Sequence, residues 1–148
     1  MRYKRFEELP VWRAAIELAV GVFALTAKLC FRGHAGTCNQ LENAAVSVSN
    51  NIAEGFERGT TQELLTFIYI SRGSSGEVRS MLHLLDRLPE FTNFRSEISD
   101  LRSKAESISR QLRAWADSLQ NTEIRGTRAI SLINHAESTS KDRKETSS

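Results

Sequence analysis

Residues 94–119 read FRSEISDLRSKAESISRQLRAWADSL. Within them Phe94, Ile98, Leu101, Ala105, Ile108, Leu112, Trp115 and Leu119 recur at steps of four and three among mostly polar neighbours. Residues three and four apart share one face of an α-helix, so the stretch predicts a helix with a single buried stripe. No period-two alternation competes with it.

Reading backwards, Pro89 closes a second such segment, Leu64, Ile68, Ser71, Ser75, Val78, Leu82 and Leu85. Thr60-Thr61-Gln62-Glu63 opens it as a capping box, in which hydroxyl and carboxylate each satisfy a main-chain donor at the helix start. Before it lie Leu41, Ala45, Val48 and Ile52, with Thr37 and Gln40 as a candidate capping box and a fade near Gly55 to Gly59. The first segment carries Val11, Ala15, Leu18, Val22, Leu25 and Leu29, beside a second apolar stripe of Trp12, Ile16, Ala19 and Phe23. Pro10 suits its first turn, where no N–H is needed. Helices are therefore predicted over about 9–30, 37–58, 60–88 and 92–120. Short loops make an all-α, antiparallel up-down-up-down four-helix bundle the simplest packing, one domain over 1–120. From Asn121 the periodicity weakens, and Ser138 to Ser148 contains no apolar residue. A polar, largely disordered tail is expected over 121–148, with a short helical piece around Ile130 to Ile133.

Composition bounds the function. The chain has 148 residues, 40% apolar and 26% charged, with 20 basic and 18 acidic residues. Its mean hydropathy is −0.36. A disordered chain and a membrane span are excluded at this stage, since no apolar run approaches the roughly 18 residues a span needs. Near-balanced charge gives no nucleic-acid signal by itself. The excess of basic residues lies at the two ends, where an assembly would repeat it. No apolar region follows the N-terminal basic residues, and Cys30 and Cys38 are too few for a disulfide framework, so a cytoplasmic protein is expected.

Catalytic motifs are missing. A di-iron bundle needs Glu-x-x-His, but Phe31, Ser80 and Leu132 precede His34, His83 and His135 at that spacing. No phosphate-cradling loop or nucleophile elbow is present, and Gly73-Ser74-Ser75-Gly76 only superficially looks like one. Cys30, His34 and Cys38 are chemically suited to zinc, but a closed site needs a fourth ligand. Two half-buried cysteines and a surface histidine are expected instead, with no metal and no cofactor.

Two features stand out. Asn51 and Glu54 interrupt the second helix, and Arg72 to Glu77, with Gly73 and Gly76, interrupts the third. The favoured explanation is close packing, the glycines and Ser71 and Ser75 admitting a bulky neighbour such as Trp12 or Phe56. The functional alternative is a polar cluster of Asn51, Glu54, Arg72 and Glu77. The second feature is surplus apolar surface: the extra stripe of the first helix, with Phe56, Phe67, Tyr69 and Ile70, exceeds what one small bundle buries. Self-association is the expected use. At the N-terminus, Arg2, Lys4 and Arg5 mix with Tyr3 and Phe6 as a nucleic-acid contact would, or form a solvated end anchored by Phe6.

Several stretches together resemble one family. Phe6-x2-Leu9-x-Val11-Trp12-x2-Ala15, Gln40-x3-Ala44-Ala45-Val46-Ser47-Val48, Asn51-Ile52-Ala53-Glu54-Gly55, Glu63-x3-Phe67 and Ile70-x-Arg72-Gly73-Ser74-x2-Glu77 are similar, in order, to the four-helix-bundle proteins of the 23S rRNA intervening-sequence family. The resemblance implies small cytosolic bacterial bundles assembled as homopentamers, without an established enzyme activity. It further implies that some members are encoded inside intervening sequences of rRNA genes, and that distant relatives serve retroelements by binding RNA and a reverse transcriptase. It marks Asn51, Glu54, Arg72 and Glu77 as shared polar positions. The chain departs at Leu41-Glu42-Asn43, without the basic pair often found there, and at Ser49, where proline is common.

The leading expectation is a non-enzymatic oligomeric scaffold, with a second copy of itself as partner, RNA or another protein as a further one, and no membrane. The alternative is an enzyme or small-ligand binder, which requires Arg72 and Glu77 to converge in a concave site.

Overall fold

The computed structural model describes residues 2–28 and 31–145, with side chains described through Thr122. Four α-helices are present and, among the described residues, no strand: α1 Pro10–Thr26, α2 Ala35–Glu57, α3 Thr61–Asp86 and α4 Arg95–Glu145. Short 3-10 turns at Phe6–Glu8 and Pro89–Phe94 precede α1 and α4. The chain divides into two compact units, Met1–Ala116 and Asp117–Ser148.

In the first unit the predicted stripes form the core. Ala15, Leu18 and Val22 of α1, Leu41, Ala45, Val48 and Ile52 of α2, Ile68, Val78 and Leu82 of α3, and Ile98, Ala105 and Leu112 of α4 have no solvent exposure. Towards the end of the α4 stripe the buried position moves from Trp115 to Ala116. An α-helix turns every 3.6 residues, so a stripe repeating every 3.5 drifts off the face it began on.

Contacts between helices run in opposite sequence order. Gln40, Ser47, Val48 and Gly55 of α2 meet Glu77, Ser74, Ser71 and Phe67 of α3. Asp86 and Ser75 of α3 meet Arg102 and Ala105 of α4. The α1–α2 connection turns through Gly33, whose φ of +84° favours glycine. It is fastened to the turn before α4 by Phe31 against Phe91, ring centroids 4.7 Å apart, and by His34 Nε2 on Glu90 Oε2 at 2.8 Å.

The ends of the helices need correction. The helix start at α2 lies at Ala35, so Thr37 and Gln40 are inside it and form no capping box, and His34 caps it without a side-chain bond. The box at α3 forms: Glu63 N–H donates to Thr60 Oγ1 at 3.2 Å, and that hydroxyl donates to Glu63 Oε2 at 3.1 Å. α4, predicted to end at about 120, keeps a helical backbone to Glu145. No proline follows Pro89, and Gly126 is the only glycine beyond Asn121, so nothing local stops it. Side chains from Glu123 onward, including Ile130 to Ile133, lie outside the described residues.

Candidate functional site

The polar positions of α2 and α3 do not meet as one group. Asn51 Nδ2 donates back along α2 to Ser47 O at 2.7 Å and Ser47 Oγ at 2.8 Å, and Ser47 Oγ lies 2.8 Å from Ser74 Oγ on α3. Glu54 is held by Arg58 one turn on at 2.8 Å. Glu77 accepts from Gln40 Nε2 at 3.5 Å. Arg72 turns elsewhere, and its Nε is buried with no hydrogen-bond partner. Glu77 is not among the residues that line the concave surface beside Arg72.

Serines do the joining that was assigned to small-residue packing. Ser71 and Ser75 are fully buried on the α3 seam. Ser71 Oγ donates to Val48 O on α2 and Ser75 Oγ to Ala105 O on α4, each at 2.7 Å. Ser109 Oγ, also buried, donates to Ser75 Oγ at 3.1 Å. Each of these buried hydroxyls has a hydrogen-bond partner, which is what allows a polar side chain in a core. Ser47, Ser74 and Ser109 enter the sequence reading only as members of quoted stretches, without a role of their own; Ser109 follows Ile108 on the buried stripe, which is the only signal it left.

The packing explanation for Gly73 and Gly76 is overturned. A Cβ built at either meets nothing within 4 Å, so no neighbour, neither Trp12 nor Phe56, presses there. Trp12 packs edge-on against Phe6 instead, centroids 5.2 Å apart. Between α2 and α3 the close approach occurs at Gly55, where a Cβ would lie 2.8 Å from Phe67 Cβ. Gly73 and Gly76 are exposed, and each costs about 1 kcal/mol against alanine in a helix interior. They floor a shallow trough of about 300 Å³ lined by Tyr69, Arg72, Gly73, Gly76, Arg79 and Ser109. Arg79, seven residues beyond Arg72, sits on the same edge.

The N-terminal cations are partly tied down. Arg5 pairs with Glu7 at 3.3 Å, and the main-chain N–H of Lys4 donates to Glu8 Oε2 at 3.0 Å. Arg2 lines a second, mainly apolar hollow of about 300 Å³ with Tyr3, Leu9, Pro10, Val11, Gln111 and Trp115. Glu7 titrates below its ordinary range, held there first by its own main-chain N–H and then by Arg5.

Cys30 lies outside the described residues. His34 is engaged with Glu90, and no group of three metal-ligating side chains occurs among the described residues. Among them too, no helix is long and apolar enough to cross a membrane.

Residues 7–114 match the family of the 23S rRNA-intervening sequence protein. The chain belongs to this family. The match spans all of α1, α2 and α3 and the first part of α4, so the serine contacts and the trough lie within the shared region. The family of 23S rRNA-intervening sequence proteins is not known as an enzyme family. Comparison with curated proteins returns no match.

Proposed function

We propose that this member of the 23S rRNA-intervening sequence family is a non-enzymatic, self-associating scaffold of the cytoplasm, built as an antiparallel up-down-up-down bundle. The bundle is supported by the contacts that rise along one helix as they fall along the next. Self-association is supported by one observation above all. Val20 and Phe23 on α1 stay 65% and 47% exposed, with Ile16 beside them at 36%, an apolar stripe left uncovered among the described residues. The assembly implied by the family resemblance is a homopentamer. Light scattering at micromolar concentration tests it, with a mass five times that of one chain expected; a clean single-chain mass overturns the reading.

A scaffold of this kind acts by repeating a surface for a partner. Contact with RNA is supported by Arg2, which has no acid partner among the described residues, and opposed by the Arg5–Glu7 pair. Phosphate-led binding releases counterions, so its affinity falls steeply between low and moderate salt. Binding that ignores salt, or no binding, removes the RNA reading and leaves a protein partner.

A further inference from the structure

The chain carries two unsatisfied surfaces that match each other. One is a ridge on α1: Ile16, Val20 and Phe23 project at i, i+4 and i+7. The other is the trough on α3, whose floor, Tyr69, Gly73 and Gly76, has the same i, i+4 and i+7 spacing. A row of large side chains on one helix can seat over the two bare positions, Gly73 and Gly76, of another, with Tyr69 at one end, in the manner of ridges into grooves. The glycines are unexplained inside the protomer, because a Cβ at either touches nothing.

Charge matches as well. Glu17, exposed beside Ile16 and one turn before Val20, is the only carboxylate of α1. It has no ion-pair partner among the described residues. Arg72 and Arg79 edge the trough, likewise with no acid partner among the described residues, and Arg72 Nε is shut off from water without a hydrogen bond. A carboxylate brought against the edge of the trough gives these two guanidinium groups the charge partner they lack.

We infer that the α1 ridge of one copy docks in the α3 trough of the next, with Glu17 set between Arg72 and Arg79 of its neighbour. This rests on the self-association reading and specifies the surfaces it uses. Because ridge and trough are different patches on different helices, the contact is heterologous. Each protomer gives a ridge and receives one, so the chain of contacts closes into a ring or continues as a filament, and an isologous dimer is excluded.

The test fills one surface at a time and measures mass by native mass spectrometry. Gly76→Leu fills the trough at an exposed helix position with open space around it. Val20→Glu blocks the ridge at the most exposed large apolar residue of α1. Each is expected to keep its helical circular dichroism and to fall to the mass of one chain, 16.6 kDa. Mixed together, the intact ridge of the Gly76→Leu chain and the intact trough of the Val20→Glu chain allow one junction, so a 1:1 dimer and nothing larger is expected. Glu17→Arg is expected to dissociate the assembly, and adding Arg72→Glu and Arg79→Glu to restore it.

The outcomes separate cleanly. A single-chain mass for the wild type overturns both this inference and the self-association reading. A wild-type oligomer whose mass survives Gly76→Leu and Val20→Glu overturns the docking alone, leaving self-association through another face. A mixture that gives no heterodimer, or one that rebuilds the full oligomer, also overturns the docking.

Discussion

Ser75 on α3, itself fully buried, donates its hydroxyl to the main-chain carbonyl of Ala105 on α4 at 2.7 Å while accepting from Ser109 at 3.1 Å. One side chain thus joins two helices through a main-chain atom, so the register of α3 on α4 is set by hydrogen bonding as well as by packing.

Replacing Ser75 by alanine leaves Ser109 without its acceptor and the second lone pair of Ala105 O unmet. A buried group losing its partner costs about 1 to 2 kcal/mol. The expected result is a lower urea midpoint for Ser75→Ala with an unchanged slope, since the surface exposed on unfolding is the same. Ser80→Ala on the exposed side of the same helix serves as the control and should leave the midpoint in place. Equal midpoints for the two variants would show the Ser75 bond to be energetically idle.

Glycines of the same chain are expected to respond in opposite directions. At Gly55 a new Cβ would lie 2.8 Å from Phe67 Cβ and 3.4 Å from Leu64 O, atoms fixed close to the backbone. Overpacking of that kind costs about 1–3 kcal/mol and outweighs the gain of about 1 kcal/mol in helix propensity. At Gly73 no atom opposes the methyl, so Gly73→Ala is expected to stabilise by about 0.5–1 kcal/mol. Thermal unfolding of both in a Val20→Glu background keeps association out of the comparison. Destabilisation by Gly73→Ala there would mean that the trough is filled from within the protomer.

How far the sequence can be read follows from these residues. The seams are legible because four-three spacing records which side of a helix faces inward: Val11, Ala15, Leu18, Val22 and Leu25 are all buried as the spacing requires. The serines of α3 keep that spacing, so their burial is legible too, but their acceptors are carbonyls on other helices and leave no mark on the sequence. Gly73 was misread for a different reason. Two glycines near a seam look like a place for a close neighbour, yet Gly73 lies two residues from Ser71, about 200° around the helix and away from the core. The polar residues Asn51, Glu54, Arg72 and Glu77 group together in the sequence because they interrupt two successive helices. Asn51, Glu54 and Glu77 have local or neighbouring-helix partners instead, and only three-dimensional placement reveals that Arg72 Nε has none among the described residues.

The two threonine boxes should also part company. Thr60 accepts from Glu63 N–H at the start of α3, whereas Thr37 lies inside α2, which begins as soon as the chain leaves the Gly33 turn. Thr60→Ala is expected to cost about 1 kcal/mol, the usual value of an N-terminal cap, and Thr37→Ala only a few tenths. Midpoints of chemical unfolding check this. A larger loss at Thr37 would place the start of α2 three residues later than it is.

The Glu7 carboxyl gives a pH signature with a defined sign. Its folded value lies below the ordinary one, chiefly through its own main-chain N–H, with burial opposing weakly and Arg5 helping at 3.3 Å. A depressed folded value means that the stabilisation is present above the unfolded value and is lost as pH falls through the folded one. Because the group is exposed, the effect on overall stability is small, and the titration itself is the observable. Following the Glu7 carboxyl carbon by NMR, Arg5→Ala is expected to raise the midpoint only part of the way, since the main-chain bond remains. A full return to the ordinary value would assign the shift to Arg5 and leave the 3-10 turn at Phe6–Glu8 without a part in it.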